Sequence, residues 1–114
     1  MYIKPLPKSW LIHDITYKEI LDEKDDYGNP MYKEPTDIEF VRYDPTTVFS
    51  RDNTQTKIVA EGVIFVDAVN SSPIPDFKEE SIIIFEGREL ILKKIVPCYH
   101  PNKNKIHHYE LEVI

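Results

Sequence analysis

A chain of 114 residues has room for one modest hydrophobic core, and its 41% hydrophobic and 30% charged content excludes a disordered chain. No stretch approaches the roughly 20 apolar residues that cross a bilayer as a helix. A formal net charge of −6 sets the chain against phosphate backbones and anionic lipid.

Three glycines against nine prolines favour strands joined by stiff, extended connections. The chain reads as one domain over residues 1–114, opened by an extended arm at 1–9 in which Pro5 and Pro7 withhold two backbone donors. Such an arm is either a loose terminus or a segment that packs on a neighbour. The start has no apolar run of signal-peptide length. From Leu11 to Lys18 apolar and polar residues alternate, as a half-buried strand requires. Asp22 to Pro35 follows as a loop rich in Asp, Gly, Asn and Pro, with a turn at Tyr27-Gly28-Asn29-Pro30.

Asp37 to Tyr43 is a second strand, ended by Asp44-Pro45. Residues 44–56 show no clear period, and irregular stretches of that length are commonly functional or disordered. Lys57 to Val69 reads as one long central strand bent at Gly62. Ser81–Phe85 and Arg88–Val96 flank Glu86-Gly87 and predict a tight hairpin. Pro97 to Lys105 reads as a polar loop, and Tyr109, Leu111 and Val113 give the cleanest alternation in the chain. The fold class is therefore mostly β: a small antiparallel β-barrel, closed or partly open, of about six strands with one long loop.

Residues that could carry chemistry are few. Cys98, the lone cysteine, cannot form an internal disulfide, which fits assembly in a reducing cytoplasm. Cys98, His100, His107 and His108 lie on the two sides of one loop, but no CxxC or HxxxH spacing is present. Adjacent strand residues such as His107 and His108 are expected on opposite faces, out of reach of one ion. A Cys98–His100 or Cys98–His107 nucleophile–base pair has no local signature. The loop Glu23 to Glu34 imitates a calcium loop only in part, because Tyr27 stands where an oxygen ligand is needed. No metal, cofactor or catalytic residue is assigned, and the chain is read as a non-enzyme that binds other proteins. Among loop aromatics, Phe49, Tyr27, Tyr32 and Tyr99 are either plugs for their own domain or anchors on a partner.

Several segments together resemble a known family. These are Lys4-Pro5-Leu6-Pro7-Lys8-Ser9-Trp10-Leu11-Ile12-His13, Asp25-Asp26-Tyr27-Gly28-Asn29-Pro30, Gly62-Val63-Ile64-Phe65-Val66, Lys94-Ile95-Val96-Pro97-Cys98-Tyr99-His100-Pro101, and His107 through Ile114. In their order along the chain they resemble the small head–tail joining proteins of tailed bacteriophages, in particular minor capsid proteins of siphophages of Gram-positive hosts. The resemblance implies a stopper, or head-completion, protein. Such proteins form a ring below the portal and adaptor, seal packaged DNA and offer a docking surface to the tail. It implies portal, adaptor and tail proteins as partners, with DNA passing through without specific binding, and a virion location at the head–tail interface. By this resemblance the loop 44–56 is the channel plug, with Asp44, Phe49, Arg51, Asp52, Asn53 and Thr56 along it and Arg51, Asp52 and Asn53 at its tip. The alternatives are a tail-terminator or adaptor of the same apparatus, or a generic β-barrel module for a sugar or single-stranded nucleic acid. An adaptor would be more helical, and a nucleic-acid groove would need basic residues among its aromatics.

Overall fold

Period-two patterning recurs along the chain, and strands follow from it. A computed structural model describes residues 4–49, 58–101 and 104–114. It holds ten strands: β1 (His13–Lys18), β2 (Ile20–Lys24), β3 (Pro30–Tyr32), β4 (Thr36–Asp44), β5 (Val48–Phe49), β6 (Ile58–Ala60), β7 (Gly62–Asp67), β8 (Ile82–Phe85), β9 (Arg88–Tyr99) and β10 (Ile106–Val113). No helix occurs among the described residues. Six strands close into an antiparallel barrel in the order β1-β4-β7-β10-β9-β8, with β1 pairing β8 to complete the ring. Closure removes the open sheet edges that would otherwise invite stray pairing.

Ile15, Ile38, Val41, Ile64, Leu92, Leu111 and Val113 fill the interior, with Tyr17, Ile83 and Phe85. Each contributes about 1.5–3 kcal/mol by leaving water. Register fixes the two ends. Lys18 lies opposite Ile82, Tyr17 opposite Thr36, and His108 opposite Asp67, which defines a lower rim. Asp44 opposite Val63, Gly62 opposite Val113, and Phe85 opposite Arg88 define an upper rim. The β2–β3 ribbon and the connections 68–81 and 100–105 therefore leave from the lower rim. The β5–β6 ribbon and the Glu86-Gly87 turn leave from the upper one.

Phe77 lies across the lower rim, its ring 5.2 Å from Tyr17 and 5.8 Å from Tyr109. Tyr17 Oη accepts from the Lys78 amide at 2.8 Å and donates to Ser81 Oγ at 3.3 Å. Residues 4–10 run up the outside of the same barrel. The buried Asp67 accepts the Leu6 amide at 2.9 Å, Asn70 Nδ2 donates to the Leu6 carbonyl at 2.7 Å, and Trp10 lies between Arg42 and Phe65. Neither reading of the arm anticipated this docking on its own barrel.

Three expectations need correction. Asp22–Pro35 is not all loop: β2 and β3 pair within it, and the Asp25 carboxylate accepts from the Tyr27 and Asn29 amides to form their turn. The long strand expected over Lys57–Val69 breaks at Glu61, whose amide donates to the Val113 carbonyl, so β6 leaves the barrel while β7 stays in it. Gly62 marks that break through side-chain space, because a Cβ there would lie 2.7 Å from the Tyr43 ring. The loop expected from Pro97 begins later, since β9 runs on to Tyr99. The 86–87 hairpin is as expected, with φ of 49° at Glu86 and 78° at Gly87, the left-handed pair of a type I′ turn.

Candidate functional site

At the upper rim, β4 and β7 continue as β5 and β6, a two-stranded ribbon separate from the barrel sheet. Val48 pairs with Ala60 and Phe49 with Ile58. The stretch 44–56, read from sequence as without period, is thus in part a strand. Ribbon pairing between residues so far apart leaves no signal in a short, mixed run such as Thr46-Thr47-Val48-Phe49. Asp44 closes β4 and is half-buried, whereas Phe49 is 53% exposed, a large apolar ring with no core to enter. Arg51, Asp52, Asn53 and Thr56 lie outside the described residues. Of the other loop aromatics, Tyr27 is 91% and Tyr99 56% exposed, while Tyr32 is half-buried beneath Lys18.

The second cluster is at the lower rim, on the outer face of β9 and β10. His108 and Glu110 are two apart on β10 and share that face; Cys98 is the cross-strand partner of His108. The Cys98 thiol donates to Glu110 Oε2 at 2.9 Å, and His108 Nε2 lies 3.7 Å from the same oxygen. Sequence reasoning placed His107 and His108 on opposite faces. A register shift between Ile106 and His108 brings their Nδ1 atoms to 2.8 Å instead. His107 Nε2 donates to the Lys4 carbonyl at 2.6 Å, and the His100 ring stands edge-on to His107 at 5.1 Å. Glu110 was not singled out from sequence, although its two-residue spacing from His108 was the available signal.

Electrostatics in this cluster favour neutral forms. Burial, then the neighbouring Glu110 carboxylate, pushes the Cys98 thiol up to about 11, so it keeps its proton at neutral pH. Burial and the adjacent His107 push His108 below the ordinary histidine range. A protonated thiol is a poor nucleophile, so the pair lacks what a Cys–His catalytic site requires.

The minor capsid protein family model matches residues 7–113, which is nearly the whole chain. An uncharacterized protein, ORF5, of Lactococcus phage LL-H is 28% identical over 116 residues, covering 96% of this chain and 98% of that protein. No solved structure matches. A closed β-barrel with a two-stranded ribbon at its upper rim and a near-complete family match lead to one conclusion: this chain belongs to the phage minor capsid protein family, whose members are structural components of the virion.

Proposed function

We propose that the chain is a head-completion, or stopper, protein that forms a ring below the portal and adaptor, retains packaged DNA and presents a face to the tail. The observation that carries this reading is the β5–β6 ribbon. Its two legs grow from adjacent barrel strands at one rim, and it bears the exposed Phe49 towards residues 50–57. A ribbon rooted in a closed barrel can reach a channel axis without disturbing the core. In this reading Asp44 roots the ribbon, Phe49 contacts a neighbouring subunit, Arg51, Asp52 and Asn53 form the closing tip, and Thr56 belongs to the same plug segment. The radius of gyration of 15.3 Å, against about 13 Å for a compact chain of this length, agrees with elements that leave the barrel. A net charge of −6 suits a conduit that DNA slides through rather than adheres to.

The test is electron microscopy of phage lysates in which residues 46–59 are replaced by a two-residue turn, beside a full deletion of the gene. The expected particles are heads that have lost DNA and stand apart from tails in both lysates. Normal joined, DNA-filled particles in the full deletion would overturn the assignment. Normal particles in the ribbon variant alone would overturn the plug role.

A further inference from the structure

We propose that Cys98, His108 and Glu110 form a three-ligand site for a divalent cation of the zinc class, with His107 as its positioning residue. The Sγ, imidazole nitrogen and carboxylate oxygen all lie within 4.8 Å of one another. Ligand atoms at the corners of a tetrahedral zinc site are about 3.3–3.7 Å apart, given bond lengths of about 2.0–2.3 Å. The separations of 2.9 Å from Cys98 to Glu110 and 3.7 Å from His108 to Glu110 bracket that spacing. One thiolate and one carboxylate would balance a 2+ ion, and the sulfur–imidazole–oxygen set suits zinc better than magnesium or calcium.

A second observation concerns the tautomer of His108. The Lys4 carbonyl can only accept, so His107 Nε2 must carry a proton. In the neutral ring, His107 Nδ1 then accepts, and the 2.8 Å contact requires His108 Nδ1 to donate. That tautomer leaves the His108 Nε2 lone pair directed at the Glu110 carboxylate, 3.7 Å away, where no proton stands between them. Two acceptors facing each other repel, and a cation in the gap would satisfy both. A metal-bound histidine is oriented by giving its other ring N–H to an acceptor, and here His107 Nδ1, itself fixed through the Lys4 carbonyl, is that acceptor for His108. It would also tie the arm at Lys4 to the site. On binding, the Cys98 S–H bond breaks, the sulfur pair forms the metal bond, and the proton leaves to solvent.

The test uses the reduced full-length protein and Co(II) as a spectroscopic stand-in for zinc, with Zn(II) competition for affinity. The expected result is one equivalent of Co(II) with a sulfur-to-cobalt charge-transfer band that Zn(II) abolishes. Cys98→Ser should lose the band, and Glu110→Gln and His108→Ala should each weaken binding by at least tenfold. His107→Leu should weaken it by about 10- to 100-fold. His107→Asn, which keeps an acceptor near the Nδ1 position, should restore most of it, and a purely structural role for His107 would not give that rescue. Far-UV circular dichroism checks that each variant keeps its strands. Absence of stoichiometric binding in the wild-type protein, a cobalt spectrum without the sulfur band, or binding unaffected by Glu110→Gln and His108→Ala would overturn the site.

Discussion

Gly62→Ala sets two effects of opposite sign against each other, and the structure says which wins. An alanine at 62 restricts the unfolded chain, which on its own stabilises by about 0.4–1 kcal/mol. Its Cβ, however, would lie 2.7 Å from Tyr43 Cε2 and Oη and 2.8 Å from Cζ. Carbon atoms pack at about 3.5–4.0 Å, so the ring must retreat by about 1 Å. Moving the ring also disturbs its stack on Phe85, whose centroid is 4.6 Å away. Overpacking of this kind costs about 1–3 kcal/mol. The net destabilisation is then about 0.5–2 kcal/mol, a fall in Tm of about 3–10 °C for a domain of this size. Thermal and urea unfolding of Gly62→Ala, Tyr43→Leu and the double variant measure it. With Tyr43 shortened the steric part disappears, so Gly62→Ala should turn neutral or stabilising. Equal destabilisation in both backgrounds would refute the argument.

Asp67→Ala should lower stability by about 1–3 kcal/mol in urea melts, since the Leu6, Val69 and Asn70 amides all lose the buried carboxylate that accepts from them; a loss below 0.5 kcal/mol, taken as roughly the scatter for surface substitutions, would count against it. The Asp25 carboxyl is held below its usual 3.8 chiefly by the Asn29 amide, so its support of the β2–β3 turn is present above that value and fades as pH falls through the lower folded value. A carbon-detected titration midpoint at or above 3.8 would contradict this. Metal-free Cys98 should react with iodoacetamide at pH 8 about 10- to 100-fold more slowly than in the urea-unfolded chain, because so little of it is thiolate; equal rates would show an unhindered, ordinary thiol. Glu86→Asn supplies a residue suited to φ 49° and should raise Tm by a few degrees in calorimetry, whereas Gly87→Ala should lower it.

The barrel was legible wherever one face of a strand meets the core and the other meets water. Tyr109, Leu111 and Val113 alternate because β10 is such a strand, and Glu86-Gly87 announced its turn through backbone chemistry. Phe40 shows where alternation fails: at φ 58° it sits in a bulge, so Ile38 and Val41 both point inward with two exposed residues between them. The β5–β6 ribbon was hidden because its pairing joins segments with no shared core face. The lower-rim cluster was hidden for the same reason as the Phe40 bulge. One register shift overrides the rule that neighbouring strand residues face apart, and it places His107 beside His108.

The root of the upper ribbon has a mechanical consequence. Its two legs continue as β4 and β7, which are neighbours, so a pull on residues 50–57 loads both strands at the same end. Such a load opens the β4–β7 seam one rung at a time, Asp44–Val63 first and then Tyr43–Ile64, as a zip opens, rather than shearing all rungs at once. The ribbon can therefore yield at low force while the opposite side of the barrel, β8 with β9, bears none of it. Optical-trap extension through handles at 49 and 58 should record a shallow, stepwise opening; a single high-force rupture would show that the barrel shares the load.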